Sequence, residues 1–312
     1  MSAEATHTVA VLGATGCMGR QISAAFASRG ARVLAVARRR VPEAQPPRGL
    51  PFLPLDIAAC GGRELAEILA AERVGTVVNA TLGWGETDEE MHRSNVRPVE
   101  TIIDALRRLP RRTRLVQLGT IHEYGPLPEG VATDEDVEPC PRSPYARAKV
   151  IASRKVLDAV DTGDVDGVVL RLTNTIGPHP AMESFLGSLA HSMRRVDPAE
   201  GLDVTVAPAR RDYVDVRDAV DAVVTAACGS CTEPLLNIGS GTAYDIRTLV
   251  RALADAAGLP PGSVRERVAE VNSRSTGADW IRVDIGRARR ALGWRPRRTL
   301  ADSMQAMWDS VR

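Results

Sequence analysis

Along the first two thirds of the chain, short β-branched runs alternate with stretches of helical periodicity. Thr8–Leu12, Arg32–Ala37, Pro51–Leu55, Thr76–Ala80, Arg114–Leu118 and Gly167–Leu172 read as strands. Segments near Met18–Arg29, Arg63–Glu72, Asp88–Arg108 and Pro144–Val160 read as the helices between them. Alternation of this kind builds βαβ units and predicts an α/β fold with a doubly wound parallel sheet. A later apolar run, Leu235–Ile238, offers one more strand, and no internal repeat is present. The proline-rich stretch Val41–Pro54 reads as a surface excursion between two strands.

After Asn174 the alternation stops at Gly177-Pro178-His179-Pro180, and later segments mix helices with short strands. The expected division is a first domain over 1–176, to which 214–240 returns, and a smaller second domain from 177–213 and 241–312. In doubly wound sheets ligands bind outside the carboxyl ends of the strands, where such a second domain would lie.

Composition narrows the classes. With 40 Lys and Arg against 39 Asp and Glu, the net charge is +1, so no global field draws nucleic acid or an anionic membrane. Apolar residues form 44% of the chain, enough for a core. The first eight residues are polar and no apolar run approaches the roughly 18 residues of a span, so a cytoplasmic protein is expected. Cys228-x-x-Cys231 has metal or redox spacing, but no second pair or nearby histidine completes a site; it reads as structural, and no metal is expected.

The first strand runs straight into Gly13-Ala14-Thr15-Gly16-Cys17-Met18-Gly19 and then an amphipathic helix. Gly13 permits a tight turn, Gly16 lets backbone approach a pyrophosphate, and Gly19 lets helix and strand pack closely. The helix N-terminus offers free N–H groups to the anion, so the stretch predicts dinucleotide binding. At the end of the second strand, where an NAD-selective site places an acid, stands Ala37, followed by Arg38 and Arg39. A guanidinium there binds a 2′-phosphate that a carboxylate would repel, which favours NADP(H) over NAD. The alternative is a solvated basic turn.

The most informative stretch is Ser143-Pro144-Tyr145-Ala146-Arg147-Ala148-Lys149. Serine is a good N-cap and proline suits the first helical position, so a helix starts here with Tyr145 and Lys149 on one face. A phenol titrates near 10 when free. A neighbouring ammonium, with an oxidised nicotinamide, is expected to favour phenolate and bring Tyr145 into acid–base range.

These motifs together resemble the extended short-chain dehydrogenases/reductases of the NAD-dependent epimerase/dehydratase family, and the resemblance covers nearly the whole chain. Its glycine spacing is GxxGxxG, as here. Gly119-Thr120-Ile121-His122-Glu123-Tyr124-Gly125 resembles the family's serine/threonine segment, Asn95-Val96 its Asn-Val segment, and Arg211-Asp-Tyr-Val-Asp215-Val its Arg-Asp-Tyr-Ile-His-Val motif. Asn237-Ile-Gly-Ser-Gly241 and Ala291-Leu-Gly-Trp294-Arg-Pro296 are typical of its sugar-nucleotide branch.

The resemblance implies a Rossmann-type fold with a smaller C-terminal substrate-binding domain. It also implies cofactor contacts from Thr15, Cys17, Met18, Asp56, Ile57, Ala80, Thr81, Leu82 and Leu172 beside the residues above. Thr120, Tyr145 and Lys149 would be catalytic, and Thr120, His122, Asn174 and Arg211 would meet substrate, Arg211 at a sugar-nucleotide diphosphate. His122 and Arg211 also have plain structural readings, as a packing residue and a salt-bridge partner.

Ile121 and His122 stand where the 4,6-dehydratases carry Asp-Glu, so dehydration lacks its acid and base. Near Gly277–Ile285, where many 4-epimerases and decarboxylases carry an arginine that grips the second phosphate, only Arg282 is close. Both departures resemble the dTDP-4-keto-6-deoxyhexose reductases. The expected activity is therefore NADPH-dependent reduction of a sugar-nucleotide ketone. Open alternatives are a 4-epimerase recycling bound NAD, a reductase of a non-nucleotide ketone, and an NADP-sensing regulator. A homodimer is expected from apolar stripes on two helices, Val96, Val99, Ile103 and Leu106 on one and Val150, Ile151, Leu157 and Val160 on the other.

Overall fold

A computed structural model describes residues 7–40, 49–197, 201–229, 231–268 and 279–311. The chain opens with β1 (Thr8–Leu12), α1 (Cys17–Ser28), β2 (Arg32–Ala37), β3 (Phe52–Pro54), α2 (Gly62–Ala71) and β4 (Val74–Asn79). Then come α3 (Asp88–Met91), a π turn over His92–Val96, α4 (Arg97–Arg108), β5 (Arg114–Thr120), a 3-10 turn over Ile121–Tyr124, α5 (Pro144–Asp161) and β6 (Asp166–Leu172). The remainder is β7 (Asn174–Ile176), α6 (Phe185–Met193), β8 (Leu202–Val206), β9 (Arg210–Asp215), α7 (Val216–Cys228), β10 (Leu235–Ile238) and β11 (Ala243–Asp245). It ends with α8 (Ile246–Ala256), β12 (Val264–Val268), β13 (Trp280–Ile281), α9 (Gly286–Leu292) and α10 (Leu300–Ser310).

Seven strands form one parallel sheet in the order β10-β6-β5-β4-β1-β2-β3. The order reverses between β1 and β4, and that switch point opens a crevice at the strands' carboxyl ends. Every residue of β1 is buried, as a parallel strand covered on both faces requires. One face is covered by α1 and α7 through Ile22, Phe26, Val220 and Val223, and the other by α2, α4 and α5 through Leu65, Ile102 and Val156.

A third core gathers α6, α8 and α10 with β8 around Leu189, Val206, Leu253 and Met304. It is joined to the sheet through a small sheet in which β9 pairs with β7, β11 and β13. The C-terminal tail divides its packing. Ala288 of α9 and Trp294 lie in the core of the large sheet, where the Trp294 indole donates to Asp218 O at 2.9 Å.

Several expectations need correction. The helix expected over Asp88–Arg108 is interrupted by the π turn, in which Asn95 Nδ2 donates to Met91 O at 3.1 Å and to Gly83 O at 2.9 Å. The excursion expected over Val41–Pro54 ends before β3, and 41–48 lie outside the described residues, as do the first six residues and Gly277 with Ala278. The dimer argument loses its premise. Val96, Val99, Ile103, Leu106 and Val150 are buried by their own chain, Val99, Ile103 and Leu106 in the core under the sheet; of the eight positions only Ile151 is exposed. The stripes therefore give no support to an assembly. Cys228 is exposed, and Cys231 is buried with its Sγ near Glu233 O.

Candidate active site

The turn after β1 is shaped by contacts that only glycine permits. Gly13 sits at φ +80°, and a Cβ there would lie 2.6 Å from Ala80 O. A Cβ on Gly19 would lie 2.1 Å from Gly13 O, so helix and turn touch backbone to backbone. The Gly13 N–H donates to Val36 O at 2.8 Å, which ties the turn to β2. Gly16 caps α1 without a side-chain hydrogen bond, leaving the helix's first N–H groups to whatever lies before them.

Two connecting cavities run along the strand ends. The larger, about 550 Å³, is lined by Gly13, Thr15, Arg38, Arg39, Asp56 and Ile57 among others. The smaller, about 290 Å³, is lined by Cys17, Met18, Thr120, Tyr145, Lys149 and Leu172 among others. Gly16, Ala80, Thr81 and Leu82 line both, making one cleft. Of the residues expected at the cofactor, only Gly19 stands behind the cleft rather than on its wall. The glycine cradle, the open helix N-terminus and a cleft of two joined lobes fit a dinucleotide.

The loop facing the cradle is held from both sides. The Asn79 carboxamide accepts from the Thr81 N–H at 3.1 Å and the Thr81 hydroxyl at 2.7 Å, while Asn95 holds Gly83. This loop carries Trp84, 71% exposed, whose ring centroid lies 4.9 Å from that of Tyr145. Opposite it, Pro178, Pro180 and Ala181 line the smaller lobe. The segment is fastened to α1 by Arg20 Nη2 and Gln21 Nε2, which donate to His179 O at 3.2 Å and Pro178 O at 3.3 Å.

On α5, capped by Ser143, Tyr145 and Lys149 lie one turn apart on the face toward β5. The Tyr145 hydroxyl is hydrogen-bonded to Thr120. The Lys149 ammonium donates to Leu118 O at 2.5 Å. Burial pushes Tyr145 up to about 12, with the Thr120 hydrogen bond opposing and the Glu123 carboxylate adding to the rise. Burial pushes Lys149 down, and the Glu123 charge opposes that.

His122, Asn174 and Arg211 meet one another, away from the walls of the cleft. His122 is hydrogen-bonded to Asn174, and burial, then the Arg211 charge, hold its imidazolium low, so it is neutral near pH 7. Arg211 is hydrogen-bonded to Tyr213. The rest of that motif is structural. Asp212 is fully buried and accepts from the backbone of Ser240 and Gly241 at 2.7 and 2.9 Å, which explains the small residues of the Asn237–Gly241 turn. Asp215 caps α7, pairs with Arg217 at 2.7 Å and accepts the Ser303 hydroxyl at 2.7 Å.

Sequence reasoning assigned no role to two residues near Tyr145. Trp84 stands on a loop without periodicity. Glu123 is fully buried and pairs with Arg171 at 2.8 Å. A charged residue three positions past the end of an apolar strand was the available signal for Glu123; Trp84 had none. Among the described residues, no cluster of three or more His, Cys, Asp or Glu is placed to hold a metal, and no helix is long and apolar enough to cross a membrane.

With its glycine cradle at a sheet switch point and the tyrosine–lysine helix beside it, the chain belongs to the NAD-dependent epimerase/dehydratase family, whose pattern matches residues 9–239. It is an NAD(P)-dependent enzyme of the extended short-chain dehydrogenase/reductase type. It is 37% identical over 312 residues to the dTDP-6-deoxy-L-talose 4-dehydrogenase (NAD(P)(+)) of Kitasatospora kifunensis, with 97% of this chain and 96% of the relative covered. In fold it is similar to the UDP-glucose-4-epimerase of Stenotrophomonas maltophila with bound NAD and formylated UDP-arabinopyranose. There the TM-score is 0.85 at 21% identity, with 97% of each chain covered. The UDP-glucose 4-epimerase of Thermus thermophilus in complex with NAD gives 0.82 at 24% identity, covering 97% of this chain and 98% of that one.

Proposed function

We propose that the chain reduces the C4 ketone of a dTDP-4-keto-6-deoxyhexose with NADPH. The observation that carries this reading is the cleft itself, with Thr120, Tyr145 and Lys149 in one lobe and Arg38 with Arg39 in the other. The name of the Kitasatospora relative supports the substrate class, because 4-dehydrogenation of a dTDP-6-deoxyhexose is such a reduction run backwards.

In this reading the backbone of Thr15–Met18 holds the pyrophosphate at the N-terminus of α1, and Arg38 and Arg39 face the 2′-phosphate. Asp56 and Ile57 lie at the adenine, and Lys149 holds the nicotinamide ribose. Bound NADPH would supply the hydride. Thr120 orients the carbonyl, and the Tyr145 hydroxyl gives its proton to the developing alkoxide. His122, Asn174 and Arg211 are assigned to the sugar nucleotide, with Arg211 at the diphosphate and the α6, α8 and α10 core closing that side.

The state of Tyr145 suits this direction. A phenol pushed up to about 12 is protonated at neutral pH, ready to donate. Reduction should therefore show a flat kcat/KM from neutral to moderately alkaline pH. Oxidation of the product alcohol needs phenolate and should rise steadily over the same range. An oxidation profile that levels off near pH 7 would place the working group elsewhere.

Wild type should bind NADPH more tightly than NADH, and Arg38→Ala should erode that preference by roughly tenfold to a hundredfold, the worth of one charged hydrogen-bonded contact. Tighter NADH binding by wild type would remove the NADPH assignment. The function as a whole is tested by offering nucleotide 4-ketosugars with NADPH and following cofactor consumption. Stoichiometric consumption with a dTDP-linked ketone is the expected result. Sugar interconversion without consumption would make the enzyme an epimerase, and consumption with a ketone lacking dTDP would move it out of nucleotide-sugar chemistry.

A further inference from the structure

One buried carboxylate has no part in the steps above. Glu123, in the 3-10 turn directly after Thr120, is fully buried. Its Oε1 accepts the Thr120 N–H at 2.9 Å and the Ser153 hydroxyl at 3.0 Å, while Oε2 accepts Arg171 Nε at 2.8 Å. Gly119 makes room for it, since a Cβ there would lie 2.8 Å from Oε1. Ser153 follows Lys149 by four residues as Lys149 follows Tyr145, so Oε1 lies against the helix face that carries both.

A side chain this deep is ordinarily apolar, and a buried ion pair is a weak source of stability compared with well-packed apolar residues. A charge kept there needs another reason. We infer that Glu123 is a positioning residue: its Oε1 fixes Thr120 at the end of β5 and sets a carboxylate behind the helix face that carries Tyr145 and Lys149. The inference rests on the Tyr145–Lys149 reading proposed above.

Lys149 is buried, and its hydrogen bond to Leu118 O is made to a neutral carbonyl. The titratable groups around it are Tyr145 on its own helix and Glu123 from the turn, with Arg171 of β6 and Tyr124 behind Glu123. The π turn packs on α5 with Val96, which brings no charge. Arg171 holds the far oxygen of Glu123, so the oxygen without that cation faces α5. Burial alone would drive Lys149 toward the neutral amine, and the charge of Glu123 opposes this.

NADPH affinity measured across a pH series reads the charge on Lys149 without needing turnover. In wild type the affinity should hold through neutral pH and fall only on the alkaline side. In Glu123→Gln that fall should move about one unit lower. Turnover in reduction should drop about tenfold as the charged acceptor of the Thr120 N–H becomes a weaker neutral one, with KM for the ketone nearly unchanged. Glu123→Gln/Arg171→Met removes both buried charges together and should show a downward shift of the same sign, which settles the matter if the single variant does not fold. A folded variant of either kind with the wild-type pH course and turnover would overturn the inference. So would a wild-type affinity already falling with rising pH below neutrality. Tyr145→Phe separates the two layers. Unimpaired turnover there would remove the underlying reading, whereas its loss beside unaffected Glu123 variants would remove only this inference.

Discussion

Tyr145→Phe is expected to cut turnover by roughly 10²–10⁴-fold while leaving folding and NADPH affinity close to wild type. That range is the usual worth of a positioned general acid. The substitution removes one hydroxyl and its hydrogen bond to Thr120. The ring stays packed beside Met91, Val96 and Ala148, and its contact with Trp84 persists, so the helix has no reason to move. Thermal melts and NADPH titration check the intact scaffold, and single-turnover reduction checks the chemistry. His122 is held by its hydrogen bond to Asn174, and the account assigns it to binding the sugar nucleotide rather than to giving the proton. Substantial turnover by Tyr145→Phe would show that another group gives the proton.

Gly19→Ala is expected to destroy NADPH binding and to destabilise the fold by about 1–3 kcal/mol, the usual cost of forcing a methyl into filled space. The new Cβ would lie 2.1 Å from Gly13 O and 2.8 Å from Gly13 C, both backbone atoms. Gly13 cannot retreat easily, because its N–H is bonded to Val36 O and its own Cα faces Ala80 O. Relief must come from lifting α1 off the turn, which moves the N–H groups assigned to the pyrophosphate. Chemical denaturation and NADPH titration read the two effects separately. A variant that melts with wild type and binds NADPH as well would mean the turn is softer than its contacts imply.

How much could be read from the sequence follows from the range of the interactions. The glycine turn and the Ser-Pro helix start are local, and β1, β2 and β10 lie where the apolar runs place them. Both lobes of the cleft follow from those local features and the βαβ alternation. Glu123 escaped because its partners, Arg171 and Ser153, stand 48 and 30 residues away, and only folding brings them to one carboxylate. The raised phenol of Tyr145 escaped for a related reason. In the protein alone its level is set chiefly by burial, which helix spacing does not report. The stripe on α4 was visible as a pattern, but whether sheet or partner covers it depends on packing with α2 and α5. The tail was read as belonging wholly to the second unit, because nothing local indicates that Trp294 reaches Asp218.

The central claim is hydride transfer to a sugar ketone with proton donation by Tyr145, and the fate of an isotopic label tests it most directly. The enzyme would be given a dTDP-4-keto-6-deoxyhexose and NADPH carrying deuterium at the transferable position, and the product sugar examined by NMR and mass spectrometry. The account predicts one deuterium at C4 of the sugar for each NADPH oxidised. A sugar altered without deuterium at C4, or altered with the NADPH intact, would contradict it.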